Sequence, residues 1–105
     1  MVIVETPIFT KRILSILSDD EYRLLQTFLL DRPEAGKVIK NSGGLRKLRW
    51  SAKSHGKSGG VRIIYYWFIP QETILLLFAY AKNERDDLTS QQLQQLRNII
   101  EGEYK

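Results

Sequence analysis

Two stretches in the second half of the chain, residues 61–69 and 74–81, are apolar at almost every position. They are rich in Ile, Leu, Tyr and Phe, and a short turn at Pro70-Gln71-Glu72 separates them. This composition is typical of β-strands that are covered on most of both faces. Alternation along the second strand puts Tyr80 and Lys82 on the face that also carries three apolar side chains, Ile74, Leu76 and Phe78.

A third strand is predicted in the run LRKLRW, which precedes a loop rich in Gly, Ser and Lys. A period of two places Leu48 and Trp50 toward the core and turns Lys47 and Arg49 outward together. Arg46 falls on the core-facing side in this register. We therefore expect Arg46 at the margin of the sheet.

Helices are predicted on both sides of these strands. A first strand is predicted at Val2–Glu5. Because Pro7 has no backbone donor, this strand is expected either to lie at a sheet edge or to end there. A short amphipathic helix at residues 10–17 follows, and the capping-box sequence Ser-Asp-Asp-Glu then predicts a second helix at Asp19–Asp31.

A second capping box, with Thr89 as the N-cap and Gln92 as its partner, predicts a last helix that ends at Gly102. The preceding Arg85-Asp86-Asp87 is interpreted as a surface lead-in to that helix. The order of elements predicts one α+β domain over residues 1–105, in which the helices pack on a twisted antiparallel sheet.

Charge is distributed unevenly along this chain. Between Glu34 and Glu72 there is no Asp or Glu, although that interval holds eight of the sixteen Lys and Arg residues. The remaining eight basic residues face twelve acidic ones, so the net charge of +4 conceals a strongly basic segment on an acidic body. Such asymmetry favours a polyanionic partner, most often nucleic acid, over a basic surface kept for solubility.

The rest of the composition indicates the cellular compartment of the protein. The chain has no cysteine, which fits a reducing compartment and leaves no thiolate for a metal site. Its N-terminus lacks the features of a signal peptide, and its apolar runs are far shorter than the roughly 18 residues of a membrane helix. We expect a cytoplasmic protein with no membrane partner.

Three segments, GGLRKLRW, GGVRIIYYWF and LLLFAYAKNERDDLTSQQLQQL, resemble the RelE/HigB toxins of bacterial type II toxin–antitoxin systems, most of all the HigB-2 type branch. The resemblance implies a RelE-like fold and a small ribosome-dependent endoribonuclease that cuts mRNA in the ribosomal A site. It further implies that no metal or other cofactor is needed. The implied partners are the ribosome with its mRNA and a cognate antitoxin, usually with a DNA-binding domain.

The resemblance also indicates the site residues by position. Lys47 and Arg49 match the lysine-rich strand of the family, Arg62 matches the arginine that opens the next strand, and Lys82 matches a basic residue after the last strand. The sequence departs from the family pattern in two places. Arg49 replaces a lysine and is a poor base, and Leu88-Thr89 stand where a catalytic tyrosine is expected, so Tyr80 is a candidate to replace it.

Metal-independent RNA cleavage needs a base for the 2′-hydroxyl proton, a donor for the leaving 5′-oxygen and positive charge on the phosphate. A lysine acts as a base only when its pKa falls, and crowding by other cations lowers it. We therefore expect Lys47 to be the base, Arg62 and Arg49 to bind the phosphate, and Lys82 or Tyr80 to lie near the leaving oxygen.

Four further residues are predicted to bind RNA: Arg46, Lys53, His55 and Lys57. His55 is the only histidine, so a mechanism with paired histidines is excluded, and a solvated loop position is the simpler interpretation. Two other functions stay open. One is a ParE-like toxin of the same fold that binds gyrase, and the other is an RNA-binding module without catalysis.

Overall fold

The computed structural model describes residues 1–51, 60–85 and 87–104, except for the side chains of residues 103 and 104. The strands are β1 (Val2–Glu5), β2 (Lys37–Val38), β3 (Arg46–Trp50), β4 (Val61–Phe68) and β5 (Thr73–Ala81). The helices are α1 (Pro7–Ile16), α2 (Asp19–Asp31) and α3 (Ser90–Tyr104), and a short 3-10 turn, Ile69–Gln71, joins β4 to β5.

The five strands form one sheet in the order β1-β5-β4-β3-β2. Strands β2 to β5 pair antiparallel in chain order, whereas β1 pairs parallel with β5. From β1 the chain passes through α1 and α2 to the far edge of the sheet and returns strand by strand, so that β5 runs in the direction of β1. The predicted α+β class is confirmed. The sheet is mixed, because the β1–β5 pair is parallel and the other pairs are antiparallel.

Each face of the sheet has its own core. The first core contains side chains of α1 and α2 packed on one face: Phe9, Ile13, Ile16, Leu17, Leu25 and Leu29. The second contains Leu96 and Ile100 of α3, packed against Leu45, Ile64 and Leu77 of the opposite face. The molecule is therefore a three-layer α/β/α arrangement. The prediction that β4 and β5 are covered on most of both faces is confirmed.

Helix α1 begins three residues earlier than predicted. The hydroxyl of Thr6 accepts a hydrogen bond from the amide of Phe9 at 3.1 Å and donates one to the carbonyl oxygen of Leu77 at 2.8 Å. Thr6 is thus a buried N-cap, and Pro7 starts the helix in its first turn, where a missing donor breaks no hydrogen bond of the helix.

The two capping boxes are confirmed, but the predicted end of α3 is wrong. Ser18 and Glu21 exchange hydrogen bonds of 2.9 and 3.1 Å at the start of α2. Thr89 and Gln92 do the same at the start of α3. Gly102 does not adopt a positive φ and has no atom near its Cβ position, so α3 continues to Tyr104 through an exposed glycine that weakens the helix without ending it.

A β-bulge changes which side chains of β5 share a face. Tyr65 pairs with Leu76 and Ile64 pairs with Phe78, so Leu77 is an extra residue in β5. The prediction that Ile74 and Leu76 share a face with Tyr80 is therefore wrong. Those two residues belong to the α1/α2 core, whereas Phe78 and Tyr80 belong to the α3 core.

Candidate active site

A cleft of about 640 Å³ opens where β2, β3 and β4 approach the turn after β5. It contains four of the five predicted catalytic residues and one further cation, Lys37; its lining residues are Ala35, Lys37, Lys47, Leu48, Arg49, Arg62 and Lys82. A smaller cleft of about 280 Å³ between α1 and α3 is lined by apolar and glutamine side chains. The larger cleft is the candidate active site.

Strand register brings the cations of the cleft together. Arg49 of β3 lies directly opposite Arg62 of β4, and Lys47 lies directly opposite Lys37 of β2. Like charges facing each other across a sheet are destabilising, with pair effects of roughly 0.2–1 kcal/mol. Two such pairs at one end of a sheet indicate a site that is completed by an anion.

Arg62 is the most enclosed of these cations. Its residue is only 7% exposed, and its guanidinium donates a long hydrogen bond of 3.4 Å to the carbonyl oxygen of Val61. A position in the middle strand of the sheet holds Arg62 between Arg49 on one side and Tyr80 on the other. Such a guanidinium is preorganised to bind phosphate oxygens in a fixed direction.

Lys47 is held by a carboxylate that the sequence analysis assigned to the surface. Its ammonium lies 3.3 Å from Oδ1 of Asp87, and the same oxygen accepts a hydrogen bond from the amide of Leu88 at 2.9 Å. The Asp87 side chain is 63% exposed and the Lys47 side chain 33% exposed. Asp87 therefore belongs to the candidate site rather than to a simple lead-in of α3.

Tyr80 lies next to the cleft but does not line it. Its side chain is fully buried, and its hydroxyl has no hydrogen-bond partner among the described residues. Burial and the nearby carboxylate of Asp87 raise the pKa of Tyr80 to about 12, although the positive charges of Arg62 and Arg85 act in the opposite direction. Arg85 also stacks over the Tyr80 ring, with 5.9 Å between guanidinium carbon and ring centroid. Tyr80 is therefore buried away from the surface that the four predicted cations of the cleft form.

The raised pKa of Tyr80 gives a spectroscopic prediction. At pH 11, absorbance at 295 nm should show Tyr80 still protonated, because burial favours the neutral phenol. Tyr80→Phe should therefore leave the absorbance change up to pH 11 unaltered and remove amplitude only above it. The unmodified protein, titrated under the same conditions, is the reference. Loss of amplitude below pH 10 in Tyr80→Phe would show that Tyr80 titrates as an ordinary tyrosine.

Arg46 does not line the cleft, although it was predicted to bind RNA. Its Nη1 donates hydrogen bonds to the carbonyl oxygens of Glu34 at 3.0 Å and Gly36 at 2.8 Å, and its guanidinium lies 5.7 Å from the centroid of the Trp67 ring. These contacts tie the segment before β2 to the α1/α2 side of the sheet. The predicted RNA-binding residues Lys53, His55 and Lys57 lie outside the described residues.

A second set of contacts fixes the segment that enters β2. The hydroxyl of Tyr65 donates to the carbonyl oxygen of Pro33 at 2.7 Å and accepts from the amide of Gly36 at 2.8 Å. A Cβ atom on Gly36 would lie 2.7 Å from the Tyr65 ring. A buried tyrosine and a glycine thus set where β2, and with it Lys37, meets β3.

Lys82 is positioned by the turn that follows β5. Its amide donates to the carbonyl oxygen of Gly60 at 3.0 Å. Glu84 accepts from the amide of Ala81 at 2.8 Å and forms an ion pair with Arg12 of α1. Partial burial opposes ionisation of Glu84, but the hydrogen bond from Ala81 and the charge of Arg12 outweigh it and lower the pKa of Glu84. The turn is thereby anchored to α1.

Lys37 and Asp87 of the candidate site were not predicted from the sequence. For Lys37 the one available signal was its place in the interval without Asp or Glu. Asp87 approaches Lys47 across a sequence separation of 40 residues, which no local pattern reveals. Among the described residues, no group of three His, Asp or Glu side chains is arranged to hold a metal ion.

The fold and the cleft define a small α+β protein with a cationic site suited to phosphate. A family model described as the RelE toxin of the RelE/RelB toxin–antitoxin system matches residues 20–103. The chain belongs to this RelE toxin family. No helix in the described part of the chain is long and apolar enough to cross a membrane.

Two solved structures share the fold. One is a double mutant of the E. coli toxin RelE in the free state, with a TM-score of 0.60 and 13% sequence identity over 93% of this chain and 94% of that one. The other is the intact E. coli RelBE toxin–antitoxin complex, with a TM-score of 0.56 and 15% identity over 76% of this chain and 94% of the matched chain. At these identities the likeness establishes the RelE-like fold.

Proposed function

We propose that this protein is the toxin of a toxin–antitoxin pair and cleaves mRNA in the ribosomal A site as a metal-independent endoribonuclease. The observation that carries the proposal is the convergence of Lys47, Arg49, Arg62 and Lys82 on one cleft. Membership of the RelE toxin family supports the same function. A protein that acts only by binding gyrase has no need of a cleft in which two arginines face each other.

In the proposed reaction, the 2′-hydroxyl of one nucleotide attacks the adjacent phosphorus and the bond to the 5′-oxygen of the next nucleotide breaks. The products are a 2′,3′-cyclic phosphate and a 5′-hydroxyl. Arg49 and Arg62 bind the non-bridging oxygens, where negative charge increases in the transition state. Lys82 donates the proton that the leaving 5′-oxygen takes up.

Two partners of one ion pair are candidates for accepting the 2′-hydroxyl proton. Lys47 can do so as a neutral amine, and the carboxylate of Asp87, 3.3 Å from the Lys47 ammonium, can do so directly. The pH dependence of cleavage distinguishes them. If Asp87 is the base, the cleavage rate should fall at acidic pH, and Asp87→Asn should remove this pH dependence. If Lys47 is the base, the cleavage rate should rise through the alkaline range, and Lys47→Ala should abolish cleavage.

The function is tested with the purified protein, purified ribosomes and one defined mRNA, followed by mapping of 5′ ends. New ends at the A-site codon are expected only when ribosomes are present, and they should be absent when Arg62→Ala replaces the unmodified protein. A non-catalytic RNA-binding module would inhibit translation without producing new ends. A gyrase-binding toxin would instead cause DNA damage on brief induction in cells while protein synthesis continues.

We further infer that an antitoxin neutralises this protein by covering the cationic cleft. The related E. coli structure contains a toxin with its antitoxin, and a cleft with this charge suits an acidic segment of such a partner. The HigB-2-like segments of the sequence lead us to expect an antitoxin of that type. Co-purification with antitoxins of HigB-2-type and RelE-type pairs, followed by the cleavage assay on each complex, tests both inferences.

A further inference from the structure

Lys37 is a cation of the cleft to which neither the RelE resemblance nor the proposed reaction gives a role. It lies in β2, the edge strand of the sheet, and faces Lys47 in the antiparallel register. Its side chain is exposed and has no hydrogen bond or ion pair among the described residues. Lys47, in contrast, is paired with Asp87, so the two lysines are not held in the same way.

The position of Lys37 relative to the two arginines follows from the strand register. Its partner Lys47 lies two residues before Arg49 along β3, and Arg49 faces Arg62. Adjacent strands lie about 4.8 Å apart and each strand rises about 3.4 Å per residue. Lys37 is thus displaced from Arg62 by two strands across the sheet and two residues along it. Their backbone positions are therefore about 12 Å apart. Lys37 thus lies at the rim of the cleft beside the arginine pair, where an extended RNA strand bound by the two arginines would pass.

A lysine on an edge strand has a simpler interpretation, since edge strands carry lysines that discourage pairing with other chains. Two observations favour a binding role. Lys37 lines the cleft, and it lies directly opposite Lys47. The repulsion between the two lysines destabilises the sheet, and a lysine that only protects the edge strand does not need such a neighbour. Lys40, an exposed lysine three residues further on, does not line the cleft and provides the matched comparison.

We propose that Lys37 binds the mRNA phosphate next to the scissile one and so sets the register of the RNA strand in the cleft. This inference rests on the proposed function for its substrate, but it concerns binding rather than chemistry. Lys37 supplies one charge contact to a backbone phosphate. It contributes affinity and alignment in a manner independent of base sequence.

The test compares Lys37→Ala and Lys37→Glu with Lys40→Ala in two measurements. In single-turnover cleavage of ribosome-bound mRNA, Lys37→Ala should raise the half-saturating protein concentration about five- to tenfold, with a change in maximal rate far smaller than that of Arg62→Ala. In binding to a short single-stranded RNA that carries a 2′-O-methyl group at the cleavage position, Lys37→Ala should reduce the slope of log affinity against log salt by about 0.7. Lys37→Glu should exceed Lys37→Ala in both effects.

The two measurements separate failure of this inference from failure of the proposed function. If the unmodified protein cleaves mRNA but Lys37→Ala behaves as Lys40→Ala does in both assays, Lys37 is only a solvated edge residue and the inference is wrong. If the unmodified protein yields no cleavage but Lys37→Ala still lowers RNA affinity and the salt slope, the nuclease proposal fails and the phosphate contact stands. Equal salt slopes for the unmodified protein, Lys37→Ala and Lys40→Ala overturn the contact, whichever result the cleavage assay gives.

Discussion

Replacing Arg62 by alanine is expected to lower the rate of mRNA cleavage about 100- to 1,000-fold and to remove growth inhibition. Arg62 lies in the middle strand of the sheet, beside Arg49, and is only 7% exposed. An enclosed guanidinium aimed at developing negative charge contributes much more than an exposed one, because little water competes with it. The measurement is single-turnover cleavage on ribosomes programmed with mRNA.

The fold should survive this substitution. Removing Arg62 relieves its repulsion with Arg49, and this offsets part of the packing lost with the side chain. The free energy of unfolding in urea should therefore fall by only about 1 kcal/mol. Arg62→Lys keeps the charge but loses the bidentate geometry, and we expect about a tenfold loss of rate. Arg23→Ala, in which a 76% exposed arginine of α2 is removed, is the control and should cleave normally. A folded Arg62→Ala protein that remains fully toxic would refute the assigned role.

Much of the candidate site could be predicted because it follows from regular alternation. Lys47 and Arg49 share a face two residues apart, and both do line the cleft. Arg62 is the one charged residue near the start of an otherwise apolar strand. Because a charge is rarely buried without a partner, a charged residue in such a strand indicates a functional site. The starts of α2 and α3 could also be predicted, because a capping box depends only on two residues three positions apart in the sequence.

What could not be predicted depends on contacts between distant parts of the chain. The bulge at Leu77 arises from the pairing of β5 with β4 and reverses the faces of Ile74 and Leu76. The ion pair of Asp87 with Lys47 and the role of Lys37 depend on how β2 and the segment before α3 meet β3. No periodicity within a single segment carries that information.

Gly60 is the second residue at which a large effect is expected, here on stability. It precedes β4 with a φ of +77°, and a Cβ atom there would lie 2.5 Å from the carbonyl oxygen of Trp50. Its own carbonyl accepts the hydrogen bond from the amide of Lys82. Gly60 therefore brings the end of β3, the start of β4 and the turn after β5 into contact, and these are the three segments that carry Arg49, Arg62 and Lys82.

Gly60→Ala should lower the free energy of unfolding by about 3 kcal/mol, which combines the strain of a left-handed backbone with a clash against backbone that cannot rotate away. Urea denaturation of the purified protein measures the change. Gly102→Ala is the matched control, because that glycine lies inside α3 with no atom within 4 Å of its Cβ position, and it should raise stability by about 0.5–1 kcal/mol. Equal midpoints for the two variants would contradict the packing described at Gly60. Because Gly60→Ala moves β4 relative to β3, the cleavage rate of its folded fraction should also fall, as the separation of Arg49 and Arg62 depends on that pairing.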